Sequence, residues 1–352
     1  MMDNLLESIA REKRSEELAK LNAIQIVNTL FSDLMERERD ILTRRFGLNG
    51  DKNETLEKIG QLHKLTRERV RQIENASIKK IKRLENIGEY LAILKSVVND
   101  LLKEHGGLLR RDYLLDILTV MSLEMASAED VDVNTSDYEK NRQIYKSRFD
   151  FLLSKLLNED FDLIGETSKF NPSVKIKDEG VDHFEAITED LITEIEASKK
   201  TFTTEEVIAL LKNLESYRKH ADKLENDGAD ITSIFKSKTF PDKAEIINKN
   251  KTLYSLLQAV KHLERNKFGF WGKADWQEIK PKTINDKIYL VLKNANKPLH
   301  FTEIATKINE IKFDHKNANP ATVHNELILD ERYVLTGRGM YGLREWQTTE
   351  KV

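Results

Sequence analysis

Apolar positions recur at helical spacing along much of the chain, and the pattern is sharpest between Leu56 and Leu84. Leu56, Ile59, Gly60 and His63 fall three and four residues apart, on one face of a first helix. Gly60 has no side chain, so another helix could cross closely there. Lys64 and Leu65 make a tight connection. Thr66 can cap a second helix by accepting from its first free N–H groups. That helix is expected to bury Val70, Ile73, Ser77 and Leu84. Its opposite face carries Glu68, Arg71, Gln72, Asn75, Lys79 and Lys82, flanked by Arg67 and Arg69. Two helices on so short a connection predict a helix-turn-helix. The periodicity continues through Tyr90, Leu94 and Leu101 to a helix stop at His105-Gly106-Gly107.

A weaker pattern then repeats. Leu108, Tyr113 and Ile117 are apolar at offsets of zero, five and nine, and so are Phe202, Val207 and Leu211, and Leu299, Ile304 and Ile308. Each trio is read on a helix start and follows a helix, near Val97–Glu104, Ile187–Ser198 and Ile284–Asn294. Each copy closes with a further helix and two short apolar strands. In the third, Pro320 opens the helix to Leu329, and Gly337-Arg338-Gly339 joins Tyr333–Thr336 to Met340–Leu343. In the second, a helix over Leu253–Arg265 precedes a hairpin turning at Gly272-Lys273-Ala274. The first has Phe149–Leu157 and Phe161–Ile164 and is degenerate beyond. Helix–helix–helix–hairpin is the order of a winged helix. Glu124–Lys140 is acidic and reads as a solvated loop. Glu215–Asn250 is a mixed insertion broken by Pro241, and Asn171–Val181 reads as a linker.

Composition narrows the function. The chain has 352 residues, 39% hydrophobic and 33% charged, with a net charge of −3 and no cysteine. That length predicts several domains, and nucleic-acid binding must come from local basic patches rather than the whole chain. The absence of cysteine removes disulfides and thiolate metal sites. No apolar run reaches a membrane span and no signal peptide is visible, so a cytoplasmic protein without membrane contact is expected. The eight histidines are scattered without metal-ligand spacing. No phosphate loop occurs and no nucleophile–base pair can be argued, so no catalysis, metal or cofactor is expected.

The face of the second helix carries the chemistry. Arginine donates two bonds to guanine, glutamine pairs two ways with adenine, and glutamate accepts from cytosine. Arg67, Glu68 and Gln72 lie in the first turns, where a helix-turn-helix makes base contacts. Arg69, Arg71, Lys79, Lys80, Lys82 and Arg83 suit phosphates. The alternative is a solvated charged helix. Lys273, Arg338 and Arg344 on the hairpins are candidates for phosphate or minor-groove contact. Trp271, Trp276 and Trp346 could stack on bases or close small cores, and His300 and His324 suit packing or capping.

Residues from about Phe31 to Leu84 resemble region 4 of housekeeping bacterial sigma factors. The carriers are Met35-Glu36-Arg37-Glu38-Arg39, Arg44-Arg45-Phe46-Gly47-Leu48, Thr55-Leu56-Glu57-Lys58-Ile59-Gly60 and Thr66-Arg67-Glu68-Arg69-Val70-Arg71-Gln72-Ile73-Glu74. The resemblance implies reading of an upstream −35 promoter element, with Arg67, Glu68 and Gln72 at base-reading positions and Arg71 on phosphate. It also implies docking of the helices from about Ile24 to Phe46 on the β flap of RNA polymerase core. About thirty residues precede the match, among them Arg11, Lys13, Arg14 and Lys20, with nothing like region 2, so promoter melting is not expected. Pro298–Ala305, Ala321–Ile328 and Arg332–Leu343 resemble the HARE-type winged helix-turn-helix of the RNA polymerase delta subunit, without that subunit's acidic tail.

The expected fold is mainly α with small β-hairpin wings. Its domains are an N-terminal extension (1–23), a region 4-like helix-turn-helix (24–90), a degenerate winged-helix-like unit (91–180), a second such unit (181–281), a HARE-type unit (282–346) and a tail (347–352). The expected function is a bacterial, nucleoid-associated transcription factor that binds double-stranded promoter-like DNA and contacts RNA polymerase. The competing reading is a delta-like accessory subunit acting through protein contacts.

Overall fold

The structure is a computed structural model that describes residues 21–125, 136–224 and 230–348. Most of the N-terminal extension with Arg11, Lys13, Arg14 and Lys20, the centre of the acidic loop and the end of the tail lie outside them. The chain forms two compact units. One comprises the residues up to 183 together with 220–259; the other comprises 184–219 and the residues from 260 onward.

The first unit opens with α1 (Ala23–Leu30), whose N-terminus is capped by the Asn22 side chain. In α2 (Glu36–Phe46), Glu38 Oε2 accepts from the Met35 N–H at 2.8 Å. The helix ends at Gly47, where φ is +62° and a Cβ would stand 2.3 Å from the Asp51 carbonyl oxygen, so only glycine fits. Thr55 caps α3 (Leu56–His63) and Thr66 caps α4 (Arg67–Lys82), each accepting from an N–H three residues on. Lys64 makes the turn between them in the left-handed conformation. Ile41, Ile59 and Val70 form the core of this module, with Leu56, Leu65 and Ile73 packed against it.

Two expectations change here. The close neighbour of Gly60 is not a crossing helix but the turn itself: a Cβ there would lie 2.7 Å from the Leu65 carbonyl oxygen. The buried face of α4 is Val70, Glu74, Ser77 and Ile81, whereas Ile73 is half-buried and Leu84 lies past the helix end. Apolar spacing misses Glu74 because burial of a carboxylate depends on a partner from another helix, here Arg45.

The chain continues as α5 (Ile87–Glu104), β1 (Leu108–Arg110) and α6 (Arg111–Val120), the last running into a π-helical turn at Met121–Met125. Then come α7 (Ser136–Phe151), a second π-helical turn at Leu152–Leu156, β2 (Phe161–Ile164) and β3 (Ser173–Ile176). The sheet order is β1-β3-β2, antiparallel throughout, with Val174 opposite both Leu109 and Leu163. The expected linker at Asn171–Val181 therefore contains the central strand. Its lysine and short length hide it in the sequence, and its fully buried Val174 acquires that burial from flanking strands.

Next in the chain are α8 (Asp182–Ser198), α9 (Thr204–Asn213) and the short α10 (Glu215–Lys219), α11 (Ala221–Leu224), α12 (Thr232–Phe235) and α13 (Ala244–Lys249). α14 (Lys251–Ala259) packs in the first unit against β1, and the Asn171 N–H donates to the Ala259 carbonyl at 2.8 Å. It stops at Ala259, so the helix expected to reach Arg265 is shorter. Two strands follow, β4 (Leu263–Arg265) and β5 (Trp271–Lys273), joined by residues 266–270. The expected turn at Gly272-Lys273-Ala274 is thus mostly strand. The turn is instead held by Asn266, whose Oδ1 accepts from the Phe268 and Phe270 N–H groups, and by Gly269 at φ +96°. Trp271 is core: it is buried, its Nε1 donates to Thr204 Oγ1 at 2.9 Å, and its backbone bridges Phe202.

The chain closes with α15 (Ile284–Ala295), β6 (Leu299–His300), α16 (Phe301–Ile311), α17 (Pro320–Leu329), β7 (Tyr333–Gly337), β8 (Met340–Leu343) and α18 (Glu345–Thr348). The sheet order is β6-β8-β7, and one core joins Ile288, Leu292, Ile304, Val323, Leu327 and Tyr333. His300 caps α16 through Nδ1.

The order helix, strand, helix, helix, strand, strand occurs both in α5–β3 and in α15–β8, and in both the last strand lies in the middle of the sheet. All nine residues of the repeated offsets are buried. The first member of each trio lies not on the helix but in the strand or bridge before it, at Leu108, Phe202 and Leu299. In the third copy the strand residue Leu299 and the helix residues Ile304 and Ile308, one turn apart, belong to the same core.

Candidate nucleic-acid interface

The cap at Thr66 and the buried stripe through Val70 fix the rotation of α4. They leave Arg67, Glu68, Arg69, Arg71, Gln72, Asn75, Lys79, Lys80 and Arg83 exposed and Lys82 half-exposed. Two pairs order this surface. Arg71 donates to both Glu68 oxygens, at 2.8 and 2.6 Å, and Arg69 Nη1 donates to Gln72 Oε1 at 3.1 Å. The Arg71 guanidinium holds the Glu68 carboxyl below its ordinary range, and Glu68 raises Arg71 in turn. Both pairs are solvated and worth little to stability. Their effect is to hold acceptor and donor groups side by side at the start of the helix.

α4 is anchored from behind. Arg45 Nε donates to Glu74 Oε2 at 3.2 Å and its Nη1 to the Glu54 carbonyl at 3.1 Å. Asp40 accepts from Arg44 within α2 at 2.9 Å and joins α2 to α3 by pairing with His63 Nε2 at 2.8 Å.

The phosphate candidates separate into two groups. Lys79 is exposed without an ion pair among the described residues, as is Arg67. Lys80 instead reaches the Asp33 carbonyl and, at 3.6 Å, Glu38. Lys82 reaches Asn158 at 3.0 Å and Glu159 at 2.9 Å, and holds the Glu159 carboxyl low. A phosphate must displace protein partners to engage either lysine. The hairpin candidates also differ. Lys273 lies within β5 and pairs with Glu196 and Asp275, Arg344 donates to the Glu331 carbonyl at 2.6 Å, and Arg338 stands exposed at the β7–β8 turn.

Sequence reasoning missed Arg148. This half-buried guanidinium on α7 donates to the Leu48 and Ile24 carbonyls, both at 3.0 Å, and to Asn28 Oδ1 at 2.9 Å. Phe151 packs on Phe31 and Phe46, with ring centroids 5.7 and 5.0 Å away. The helix-turn-helix module is therefore built into the first unit rather than tethered to it. No local signal marks a residue whose partners are a hundred positions away.

This geometry is a tight helix-turn-helix with a polar second helix, and the comparisons agree with it. Residues 30–83 match the family model for Sigma-70, region 4. Residues 30–83 are a Sigma-70 region 4 domain. The chain is 42% identical over 71 residues to the RNA polymerase sigma factor SigA1 of Synechococcus elongatus, covering 20% of this chain and 18% of that protein. It is 38% identical over 79 residues to the chloroplastic RNA polymerase sigma factor sigD of Arabidopsis thaliana, covering 22% and 19%. It is 39% identical over 80 residues to RNA polymerase sigma factor RpoD of Helicobacter pylori, covering 22% and 11%. The chain thus spans less than a fifth of the length of each of these relatives. No solved structure matches the chain significantly. Among the described residues, no helix is long and apolar enough to cross a membrane, and no group of side chains is arranged to hold a metal ion.

Proposed function

We propose that this protein is a DNA-binding transcription factor that recognises a −35-like promoter element through the region 4 helix α4. The observation that carries the reading is the exposed, ordered start of that helix, with Arg67, Glu68 and Gln72 presented on a domain of region 4 type. In this reading Arg67 donates to a guanine, Gln72 pairs with adenine and Glu68 accepts from cytosine. Arg69, Arg71, Lys79 and Arg83 meet phosphates, while Lys80 and Lys82 do so only by exchanging their present partners. Contact with RNA polymerase, including the β flap, belongs to the proposal. A cleft of about 680 Å³ lined by Phe31, Asp40, Leu48 and His63, with Arg148 of α7 at its wall, offers a docking place.

We also read residues 282–346 as a HARE-type winged helix and the inner repeats as winged-helix relatives. The repeated element order and strand order support that reading. A second function, that of a polymerase accessory subunit, is favoured by one observation: α17, the second helix of the α16–α17 pair, has no lysine or arginine to offer a phosphate.

The test is duplex binding by the full chain, by fluorescence anisotropy, with a −35-type hexamer and a scrambled control. Tighter binding of the hexamer by tenfold or more is expected. Equal affinity for both, with retention on core polymerase, would replace the first reading with the second.

A further inference from the structure

Arg69 bonds directly to a side chain on the base-reading face of α4. Its Nη1 donates to Gln72 Oε1 at 3.1 Å, three residues further along the helix. A guanidinium has donors only, so it can meet the Gln72 amide only at its oxygen. The contact therefore settles which end of the amide faces which way.

A second neighbour holds the other end. Glu68 lies one turn before Gln72, and a carboxylate only accepts. Arg71 donates to both Glu68 oxygens, at 2.8 and 2.6 Å, and so keeps that carboxylate in place. The Glu68 carboxyl is held low first by Arg71, and the Gln72 amide adds to the effect, as an N–H turned toward it does. Gln72 is thus oriented from both sides, with Oε1 toward Arg69 and Nε2 toward Glu68.

Orientation matters for reading. Adenine offers N6–H as a donor and N7 as an acceptor, and a glutamine amide matches them in one order only. Reversed, the amide sets donor against donor and acceptor against acceptor. A free, exposed glutamine samples both orders and many rotamers, and loses that freedom when it binds. The oriented amide still has what adenine needs: Oε1 keeps a second lone pair for N6–H, and Nε2 a second hydrogen for N7. The remaining donors of the Arg69 fork stay open to a phosphate.

We propose, on the reading of α4 as the promoter-recognition helix, that Arg69 is a positioning residue for base readout. It fixes the Gln72 amide in the order that adenine requires, and so sharpens discrimination at one base pair beyond any phosphate it meets. The two roles separate cleanly. A phosphate contact carries no sequence information, so its loss weakens every duplex alike. Loss of an orienting bond falls on a single position.

The experiment measures the affinity of the full chain, by fluorescence anisotropy, for a −35-type hexamer and each of its single-base-pair variants. Gln72→Ala identifies the pair that Gln72 reads, as the position where discrimination is lost. Arg69→Met keeps the length of the side chain and its helix preference but has no donor. It should narrow discrimination at that same pair by about threefold to tenfold, the cost of ordering one glutamine. Ratios at the other pairs should hold, whatever uniform loss of affinity accompanies them. In a Gln72→Ala background Arg69→Met should leave every ratio unchanged, because nothing remains to orient. Discrimination at the Gln72 pair that ignores Arg69→Met overturns the proposal, as does a narrowing that persists without Gln72. Either result leaves the preference for the hexamer standing. A chain with no preference at any position instead overturns the promoter reading itself, and this role with it.

Discussion

Replacing Arg45 by alanine tests how the recognition helix is held. Arg45 is 34% exposed through its side chain and Glu74, its partner on α4, only 11%. Breaking a fully buried pair costs about 3–5 kcal/mol, because the remaining charge is left without solvent. Here a third of the guanidinium already meets water, which lowers the figure for Arg45→Ala to about 2 kcal/mol. The reverse change is milder. In Glu74→Ala the guanidinium keeps its bond to the Glu54 carbonyl and can turn outward, for a cost of about 1 kcal/mol. Arg45→Met with Glu74→Leu should come close to the unmodified protein, since no buried charge remains. The assay is native-state hydrogen exchange on the full chain, because a protein of two units has no single unfolding free energy. Slowly exchanging α4 amides should lose about 30-fold protection in Arg45→Ala and about fivefold in Glu74→Ala. If Glu74→Ala proved the more damaging, the argument from unequal burial would be refuted.

Other changes probe other parts. Arg67→Ala should cost about 1–3 kcal/mol on a −35-type hexamer and relax preference at one base pair, read by competition with single-base variants. Lys79→Ala should weaken specific and scrambled duplexes alike and reduce the salt slope by about one, read from affinities across a salt series. His105 is wholly buried, and burial pushes its pKa down to about 4. The unfolded chain takes up this proton first, so the stability His105 contributes is complete above about pH 6.5 and drains as pH falls toward 4, by about 3 kcal/mol in all. Melts of His105→Gln should show a flatter pH dependence in that window; an unchanged slope would remove His105 as its source. Ile304 has no exposed surface in the C-terminal core, and Ile304→Asp should unfold the second unit while α4 amides stay protected, read by exchange mass spectrometry.

Local signals determined a large part of this protein. Thr55, Thr66 and Gly47 act within a turn of their own position, and their capping and left-handed roles follow from residue type. The stripe of Ile59 and Val70 set the rotation of α3 and α4, and with it which of Arg67, Glu68 and Gln72 meet solvent. The repeated apolar offsets marked buried positions in three places, and in the last of them Leu299, Ile304 and Ile308 join one core.

Tertiary structure decided what depends on distant partners. Glu74 is buried because Arg45 reaches it, and Arg148 is a linchpin because two carbonyls and Asn28 converge on it from α1 and the α2 end. Ser173–Ile176 is a strand because β1 and β2 flank it, not because its side chains demand one. Lys80 and Lys82 read as phosphate ligands in isolation, yet meet Asp33 and Glu159. A side chain's periodicity is a property of its own segment, whereas its burial, pairing and availability to a ligand are set by what the fold brings against it.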